Sequence, residues 1–274
     1  MLKQRLITAA VLVPLTVWAV LALESRWFAL VLAVVLAGGA WEWAALAGMR
    51  SSAARVAYAA VMLGLMYGGY ALSAARPDLL PIVLIVVAGF WLLATSWVWR
   101  YPRGAESWGK SRLIRALMGG AILFGCWLAT IALHANLEQG PAWVLFLMIL
   151  MWLADSGAYL VGRRWGRTKL APQVSPGKTW EGVAGGLLGA SVGALFATWW
   201  LETGPLAGFL LVCMVTVVFS VIGDLTESLL KRNAGVKDSG RLLPGHGGIL
   251  DRIDSLTAAA PVFVLGLLLL GVFR

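Results

Sequence analysis

The chain has 274 residues, of which 60% are hydrophobic and only 13% are charged, and its mean hydropathy is +0.84. Soluble globular proteins carry about 25% charged residues, so this composition excludes an ordinary soluble domain and indicates a membrane protein. The net charge of +9 is then mostly a signal for the orientation of the chain in the membrane, and it also favours attraction to anionic lipid headgroups and phosphates. It gives no reason to expect a nucleic-acid partner.

Nine apolar runs are long enough to be membrane spans, since a spanning helix needs about 20 mostly apolar residues. The predicted spans cover residues 6–23, 27–48, 57–74, 80–99, 116–133, 141–162, 182–201, 206–230 and 255–273. The first run follows Lys3 and Arg5 as a signal peptide would, but it is too long and lacks a clear cleavage site, so we predict that it is retained. Because a backbone in hydrocarbon must satisfy its own hydrogen bonds, the predicted fold class is an all-α, polytopic helical bundle.

The basic residues predict a cytoplasmic N-terminus. With nine spans in that orientation, every lysine and arginine except Arg26, Arg76 and Arg274 faces the cytoplasm. This asymmetry follows the positive-inside rule. The loops on the other side carry acids instead, namely Glu24, Asp78, Glu138 and Glu202.

The first five spans contain almost no charge. Glu42 in Trp-Glu-Trp is the exception, and a structural role for it is favoured over chemistry. The basic loop 100–115, with tryptophans at its edges, is typical of an interfacial anchor. Cys126 and Cys213 lie inside spans as small buried hydrophobes, with no sign of a disulfide or zinc site. We divide one integrated membrane domain into N-terminal transmembrane helices (1–140) and a C-terminal catalytic region (141–274).

Span six and the loop after it contain an aspartate followed by many basic residues. Asp155 lies in the inner third of the span, and the positive-inside rule alone explains the arginines that follow. Ser-Pro-Gly-Lys-Thr resembles a phosphate loop, but it lacks the full spacing and a preceding strand, which excludes a P-loop NTPase. Lys178 remains open as a phosphate contact. Span seven then has a helix-packing stripe of small residues, Gly185, Gly189 and Gly193.

Span eight ends in a polar helical face. Asp224, Glu227, Ser228 and Lys231 are spaced by three, four and seven residues, which places them on one side of a helix. An ordinary helix end emerging into water explains Lys231 well. It explains Asp224 less well, because a charge at this depth usually faces a cavity or a partner, so function is favoured.

The last polar segment, residues 237–254, combines acids, glycines and basic side chains. Asp251 and Asp254 stand at the start of span nine, where capping of the helix N-terminus is the alternative to a functional role. The preceding Gly-His-Gly-Gly can form a sharply bent, anion-binding backbone. The cationic residues of segment 237–254 are Lys237, Arg241 and Arg252. Two sets of carboxylates beside such a loop indicate a hard metal ion together with phosphate.

Residues 228–254, SLLKRNAGVKDSGRLLPGHGGILDRID, resemble the signature of the phosphatidate cytidylyltransferase family. That signature reads S-x-x-K-R, then K-D after four further residues, then H-G-G-x-x-D-R-x-D, and every fixed position is met. The upstream segments DSGAYLVGRRWG and SPGKTWEG resemble the family as well. The specific resemblance covers about residues 155–255, whereas the first 140 residues match only as generic hydrophobic spans.

The resemblance implies that CTP and phosphatidic acid react to give CDP-diacylglycerol and pyrophosphate. It also implies Mg²⁺ with a second cation such as K⁺, and a homodimer in the bacterial inner membrane with its active site facing the cytoplasm. Carried over by position, the metal ligands are Asp224 and Asp251. The further catalytic candidates are Lys178, Lys231, Lys237, Arg252 and Asp155. The substrate-binding candidates are Lys178, Arg232, Asp238, His246, Gly247, Gly248, Glu227 and Asp254. Whether His246 donates to a phosphate or holds the glycine turn stays open.

Two other functions remain in competition. One is a related membrane transferase that uses CTP or a polyprenyl phosphate, which needs the same metal and phosphate groups. The other is an ion-coupled transporter with Asp155 and Asp224 as relay groups. Transporter sites lie near the bilayer midplane, whereas these charges gather at one face of the membrane, which disfavours that alternative.

Overall fold

The computed structural model describes residues 2–106, 108–135, 139–240, 242–243, 245 and 247–272, leaving out the side chains of residues 2–6. In these residues the chain forms nine α-helices and one two-stranded sheet. The helices are α1 Leu2–Ala22, α2 Ser25–Leu46, α3 Ser52–Ala75, α4 Leu80–Trp99, α5 Arg112–Ala135, α6 Gly140–Trp165, α7 Trp180–Ala197, α8 Leu206–Asn233 and α9 Leu250–Leu269. The strands are β1 Lys169–Ala171 and β2 Ser175–Thr179.

Each helix coincides with one predicted span, which confirms the polytopic helical fold class. Eight of the helices in the described part of the chain, α2 to α9, are long and apolar enough to cross a bilayer. In α1 the apolar stretch is Ile7–Ala22, which is shorter than the roughly 20 residues of a typical span.

The helices at the polar end of the bundle are longer than the hydrophobic runs that predict them. α8 continues to Asn233, and α9 begins at Leu250 instead of residue 255. The early start of α9 is possible because Glu42 accepts a hydrogen bond from Leu250 N, a group that otherwise lacks a partner at a helix N-terminus. Asp251 in turn accepts from Gly248 N in the loop before the helix.

A β-hairpin stands where the sequence predicts only a polar loop. β1 and β2 pair in antiparallel fashion, with Lys169 opposite Thr179 and Ala171 opposite Ser175. Val174, in the turn, is buried, and its carbonyl oxygen accepts a hydrogen bond of 3.3 Å from Arg232 Nε on α8. The hairpin is therefore attached to the same helix end that carries the polar face.

Close contact between α6 and α7 confirms the predicted glycine stripe. A Cβ atom on Gly185 would lie only 2.5 Å from the backbone oxygen of Gly157, and one on Gly189 would meet the backbone oxygen of Leu153. Small residues let two helix backbones approach in this way. Cys126 and Cys213 are free and buried, as predicted.

Candidate active site

The polar ends of α8 and α9 meet at a glycine. A Cβ atom on Gly223 would lie 2.5 Å from the backbone oxygen of Asp254, so only glycine lets the helices approach this closely. The next residue on α8 is Asp224. The crossing therefore brings the acids of α8 beside Asp251 and Asp254 of α9.

Lys231 links the two helices by ion pairs. Its Nζ lies 2.7 Å from Asp251 Oδ1 and 3.4 Å from Glu227 Oε1. The three side chains are nearly buried, with exposed fractions of 11%, 9% and 5% for Lys231, Asp251 and Glu227. Buried charges of this kind need partners to offset their loss of hydration, so Lys231 is the internal counter-ion of the cluster.

Asp251 also anchors the loop that precedes α9. Its Oδ2 accepts hydrogen bonds from Ser239 N at 3.1 Å, Ser239 Oγ at 2.9 Å and Gly248 N at 2.8 Å. Gly247 has φ +85°, and a Cβ atom there would lie 2.8 Å from the same oxygen. The loop can wrap round the carboxylate only because this residue is glycine. Asp251 thus accepts backbone N–H groups, as the capping alternative requires, and pairs with Lys231 as well.

The hairpin delivers the second lysine. Lys178 Nζ on β2 lies 2.6 Å from Asp224 Oδ2. Glu181 at the start of α7 holds the base of the hairpin by accepting hydrogen bonds of 3.1 Å from Arg167 N and Thr168 N. The Asp224 side chain is 32% exposed, so this half of the cluster is open where the Asp251 half is closed.

Two further acids complete the cluster. Asp155 on α6 is exposed and interacts electrostatically with Lys178 and Asp224. Asp254 is repelled by Asp224 and lies close enough to Glu227 to repel it too. Five acids and two lysines therefore converge from α6, α8, α9 and β2, which leaves an excess of negative charge when all of them are ionised.

This excess suits a bound cation. The buried Glu227 carboxyl lies beside the acid Asp254, with the Lys231 ammonium group 3.4 Å away, and carboxylate oxygens are the ligands that Mg²⁺ prefers. Within the described residues, however, no three acid, histidine or cysteine side chains already converge as a metal centre. Instead, the ammonium groups of Lys178 and Lys231 lie beside Asp224 and Asp251. A metal ion bound by those aspartates would have to displace the ammonium groups or share the carboxylates with them.

The remaining predicted residues lie around this cluster. Gly247 and Gly248 are in contact with Asp251 as described, and Arg232 is directed toward the hairpin. Lys237 and Asp238 are exposed just before Ser239, and Arg252 is exposed on the first turn of α9. His246 and Arg241 lie outside the described residues, so the open question about His246 stays open.

Sequence reasoning missed Ser239 and gave Glu42 no place in the site. Glu42 of α2 reaches across to the segment that carries Asp251 and accepts hydrogen bonds from Ser239 Oγ and Leu250 N. The one available signal was that Glu42 is the single acid in the predicted spans one to five. Nothing in the sequence indicates which distant residues it meets.

The amino-acid sequence of the whole chain is similar to sequences of known proteins. The model of the cytidylyltransferase family matches residues 3–270. A protein of Pseudomonas aeruginosa named phosphatidate cytidylyltransferase is 47% identical over 268 residues, covering 96% of each chain. A protein of the same name from Haemophilus influenzae is 40% identical over 282 residues, covering 96% of this chain and 97% of the relative. One from Synechocystis is 45% identical over 159 residues, or 56% of this chain and 52% of the relative.

Proposed function

Because the chain belongs to the cytidylyltransferase family, and is thus a nucleotidyltransferase, we propose that it joins CTP to phosphatidic acid, forming CDP-diacylglycerol and pyrophosphate. Two full-length relatives carry the name of that activity. The observation that carries the proposal is the cluster of five acids and two lysines at one end of the bundle. It offers the charges that a lipid phosphate and a nucleoside triphosphate need at one place.

The reaction itself requires little proton chemistry from the protein. An oxygen of the lipid phosphate attacks the α-phosphorus of CTP, and the bond from that phosphorus to the bridging oxygen of the β-phosphate breaks. The attacking oxygen is already ionised near neutral pH, so no strong general base is required. Catalysis is then mainly positioning and stabilisation of charge on the phosphoryl group.

The two lysines are suited to that stabilisation. Lys178 and Lys231 each hold an ammonium group against an aspartate, and the reacting phosphates are proposed to bind beside both ammonium groups. Transfer of these cations from carboxylate to phosphate oxygens would neutralise charge where it develops. Lys237 and Arg252, which are exposed on the approach to the cluster, are proposed to attract the phosphates. Arg232, Asp238, Gly247 and Gly248 are proposed substrate contacts.

Asp224 and Asp251 are the proposed holders of Mg²⁺, with Asp155, Glu227 and Asp254 as neighbouring oxygen donors. Mg²⁺ held there would supply Lewis-acid stabilisation of phosphate charge, which would let a polyanionic substrate approach these carboxylates. A second cation such as K⁺ is proposed to share the two aspartates. The chain itself supplies the orientation, because Asp251 is held by Ser239 and Gly248 and Asp224 is fixed on α8.

The proposal includes a place in the cell and an assembly. The cluster lies on the second half of α6, on β2, near the end of α8 and at the beginning of α9, and the distribution of basic residues predicts that these segments are at the cytoplasmic side. A site at that boundary of a bacterial inner membrane can meet a soluble nucleotide and a lipid headgroup together. We also propose a homodimer, on the family resemblance alone.

The test is direct. Purified protein is given radiolabelled CTP and phosphatidic acid, with and without Mg²⁺, and the lipid fraction is examined for a CDP-lipid. We expect a product that depends on both substrates and on the metal. A product formed only from a polyprenyl phosphate would favour the related transferase instead, and no metal-dependent product from either lipid would refute the proposal.

A further inference from the structure

We propose that Glu42 on α2 is a positioning residue for the carboxylate site, acting through the glycine loop, defined as the described residues between 237 and 249, namely 237–240, 242–243, 245 and 247–249. It holds this loop and the start of α9 so that Asp251 faces Lys231. Its effect on catalysis rests on the proposed function, whereas its effect on the loop does not.

Glu42 is almost completely removed from solvent. Its exposed fraction is 2%, and a carboxyl group inside a membrane bundle is costly unless donors face it. Oε2 accepts a hydrogen bond of 3.0 Å from Leu250 N and lies 3.3 Å from Ser239 Oγ, whose one hydroxyl hydrogen it shares with Asp251 Oδ2 at 2.9 Å. Both donors belong to the segment around Asp251, so Oε2 keeps its hydrogen-bond partners only while that segment stays in place.

The glycine loop is shaped around the Glu42 carboxyl group. A Cβ atom on Gly240 would collide with Glu42 Oε1, and one on Gly248 would lie 2.5 Å from Glu42 Oε2. Any other residue at these two positions would force either the Glu42 carboxyl group or the loop to move. The fit of side chain and loop is therefore mutual.

Two routes lead from Glu42 to Asp251. The first is Ser239, whose hydroxyl lies between the two carboxyl groups, 3.3 Å from Glu42 Oε2 and 2.9 Å from Asp251 Oδ2. The second is the backbone of Leu250, the residue immediately before Asp251. Loss of Glu42 releases both at once, and a misplacement of a reacting group by about 1 Å can lower a rate roughly 100-fold.

Hydrogen exchange of the purified full-length protein tests the positioning without any assay of activity. In Glu42→Ala we expect faster exchange of the backbone amides in residues 238–251, with the rest of α9 unchanged. Glu42→Gln should stay near the unaltered protein, because its amide oxygen can accept the same two hydrogen bonds. The matched control is Glu24→Ala, at the other end of α2, where the exposed Glu24 pairs with Arg26. Unchanged exchange at 238–251 in Glu42→Ala would overturn the proposal.

Kinetics separate positioning from a merely structural role. We expect folded Glu42→Ala to lose roughly 100-fold in kcat for CDP-lipid formation, with KM for CTP within about twofold. Ser239→Ala removes one of the two routes and should give a smaller loss. The loss in the double variant should be smaller than the product of the two single losses, since residues acting through one network are not additive.

The outcomes distinguish failure of the Glu42 proposal from failure of the proposed function. A normal kcat in folded Glu42→Ala, or a fully additive double variant, would contradict positioning. If Glu42→Ala fails to fold, Glu42→Asp decides the question, because its shorter side chain keeps the carboxylate but withdraws it from Leu250 N and Ser239 Oγ; a normal kcat and normal exchange there would contradict positioning. If the unaltered protein forms no CDP-lipid, the proposed function fails, while the exchange experiment still judges Glu42.

Discussion

Asp224 and Asp251 share one predicted role, yet their surroundings differ. Asp251 is nearly buried and receives donors from Lys231, Ser239 and Gly248. Asp224 is one-third exposed, and the donors facing it are Lys178 and the hydroxyl of Ser228. Substitution of the first should therefore affect folding and chemistry together, whereas substitution of the second should affect chemistry alone.

Asp251→Asn is expected to lower the free energy of unfolding by about 2 kcal/mol, since an amide NH₂ would face donors in a buried site. It should also reduce CDP-lipid formation by at least roughly 100-fold. Denaturation of the purified protein and the labelled-CTP assay measure the two effects. A variant with normal turnover would refute the assignment of Asp251.

Asp224→Asn is expected to abolish measurable turnover while unfolding stays within about 1 kcal/mol, because a partly exposed ion pair contributes little to stability. Asp78→Asn is the matched control, since Asp78 is paired with Arg76 in an exposed position outside the cluster. Retained turnover in Asp224→Asn, or an equal loss in the control, would show that Asp224 is not a member of the site.

For individual residues, the sequence predicts which side chains share a face of one helix, but it does not predict which residues of different helices meet. Helical spacing correctly places Asp224, Glu227 and Lys231 on one face. The pairing of Lys231 with Asp251 depends on how α8 crosses α9 at Gly223, which no local pattern states. Glu42 lies still further from its partners in sequence, 197 residues from Ser239 and 208 from Leu250.

Among the elements, α6 and α7 control the position of Lys178. The hairpin that carries Lys178 is the connection between these two helices. The separation of the helices therefore sets where the hairpin begins and ends. Their contact depends on glycines that face backbone atoms of the neighbouring helix.

Gly185→Ala is expected to destabilise the protein by about 1–3 kcal/mol through overpacking and to reduce turnover, because the new Cβ atom would lie 2.5 Å from Gly157 O and 2.6 Å from Val161. Gly64→Ala on α3 is the control, since a Cβ atom there meets nothing within 4 Å. Thermal unfolding of both variants in one detergent measures the difference. Equal stability would contradict close packing at Gly185.

The hairpin shows where prediction of elements fails. Its strands are three and five residues long, and Ser-Pro-Gly-Lys-Thr lacks the alternating β-branched and aromatic residues that indicate a strand. The hairpin is stabilised by contacts outside itself, from Glu181 at its base and Arg232 at its turn. Such tertiary support leaves no periodic signal in the sequence.

For the molecule as a whole, the lengths of the hydrophobic runs predict the nine helices, because each helix satisfies its backbone hydrogen bonds internally, whatever its neighbours are. The arrangement of the helices depends on side-chain fit and is not predictable in this way. Orientation rests on the basic residues and can be tested separately.

Gln173→Cys, in the exposed hairpin turn, should react with a membrane-impermeant maleimide in inverted vesicles but not in intact cells. Ala75→Cys, at the end of α3, should show the opposite pattern. The native Cys126 and Cys213 are fully buried and should stay silent in both. Labelling of Gln173→Cys from outside intact cells would reverse the proposed topology.

The ion pair between Lys231 of α8 and Asp251 of α9 also constrains how the protein is made. Chains emerge from the ribosome N-terminus first, so α8 is synthesised before the helix that supplies Asp251. Until α9 is synthesised, Lys231 lacks the carboxylate of Asp251 as a counter-ion. Glu227 would then be exposed near the lipid, where an ionised group is energetically costly. We expect the translocon to retain α8 until α9 arrives and to release the two into the lipid as one antiparallel pair.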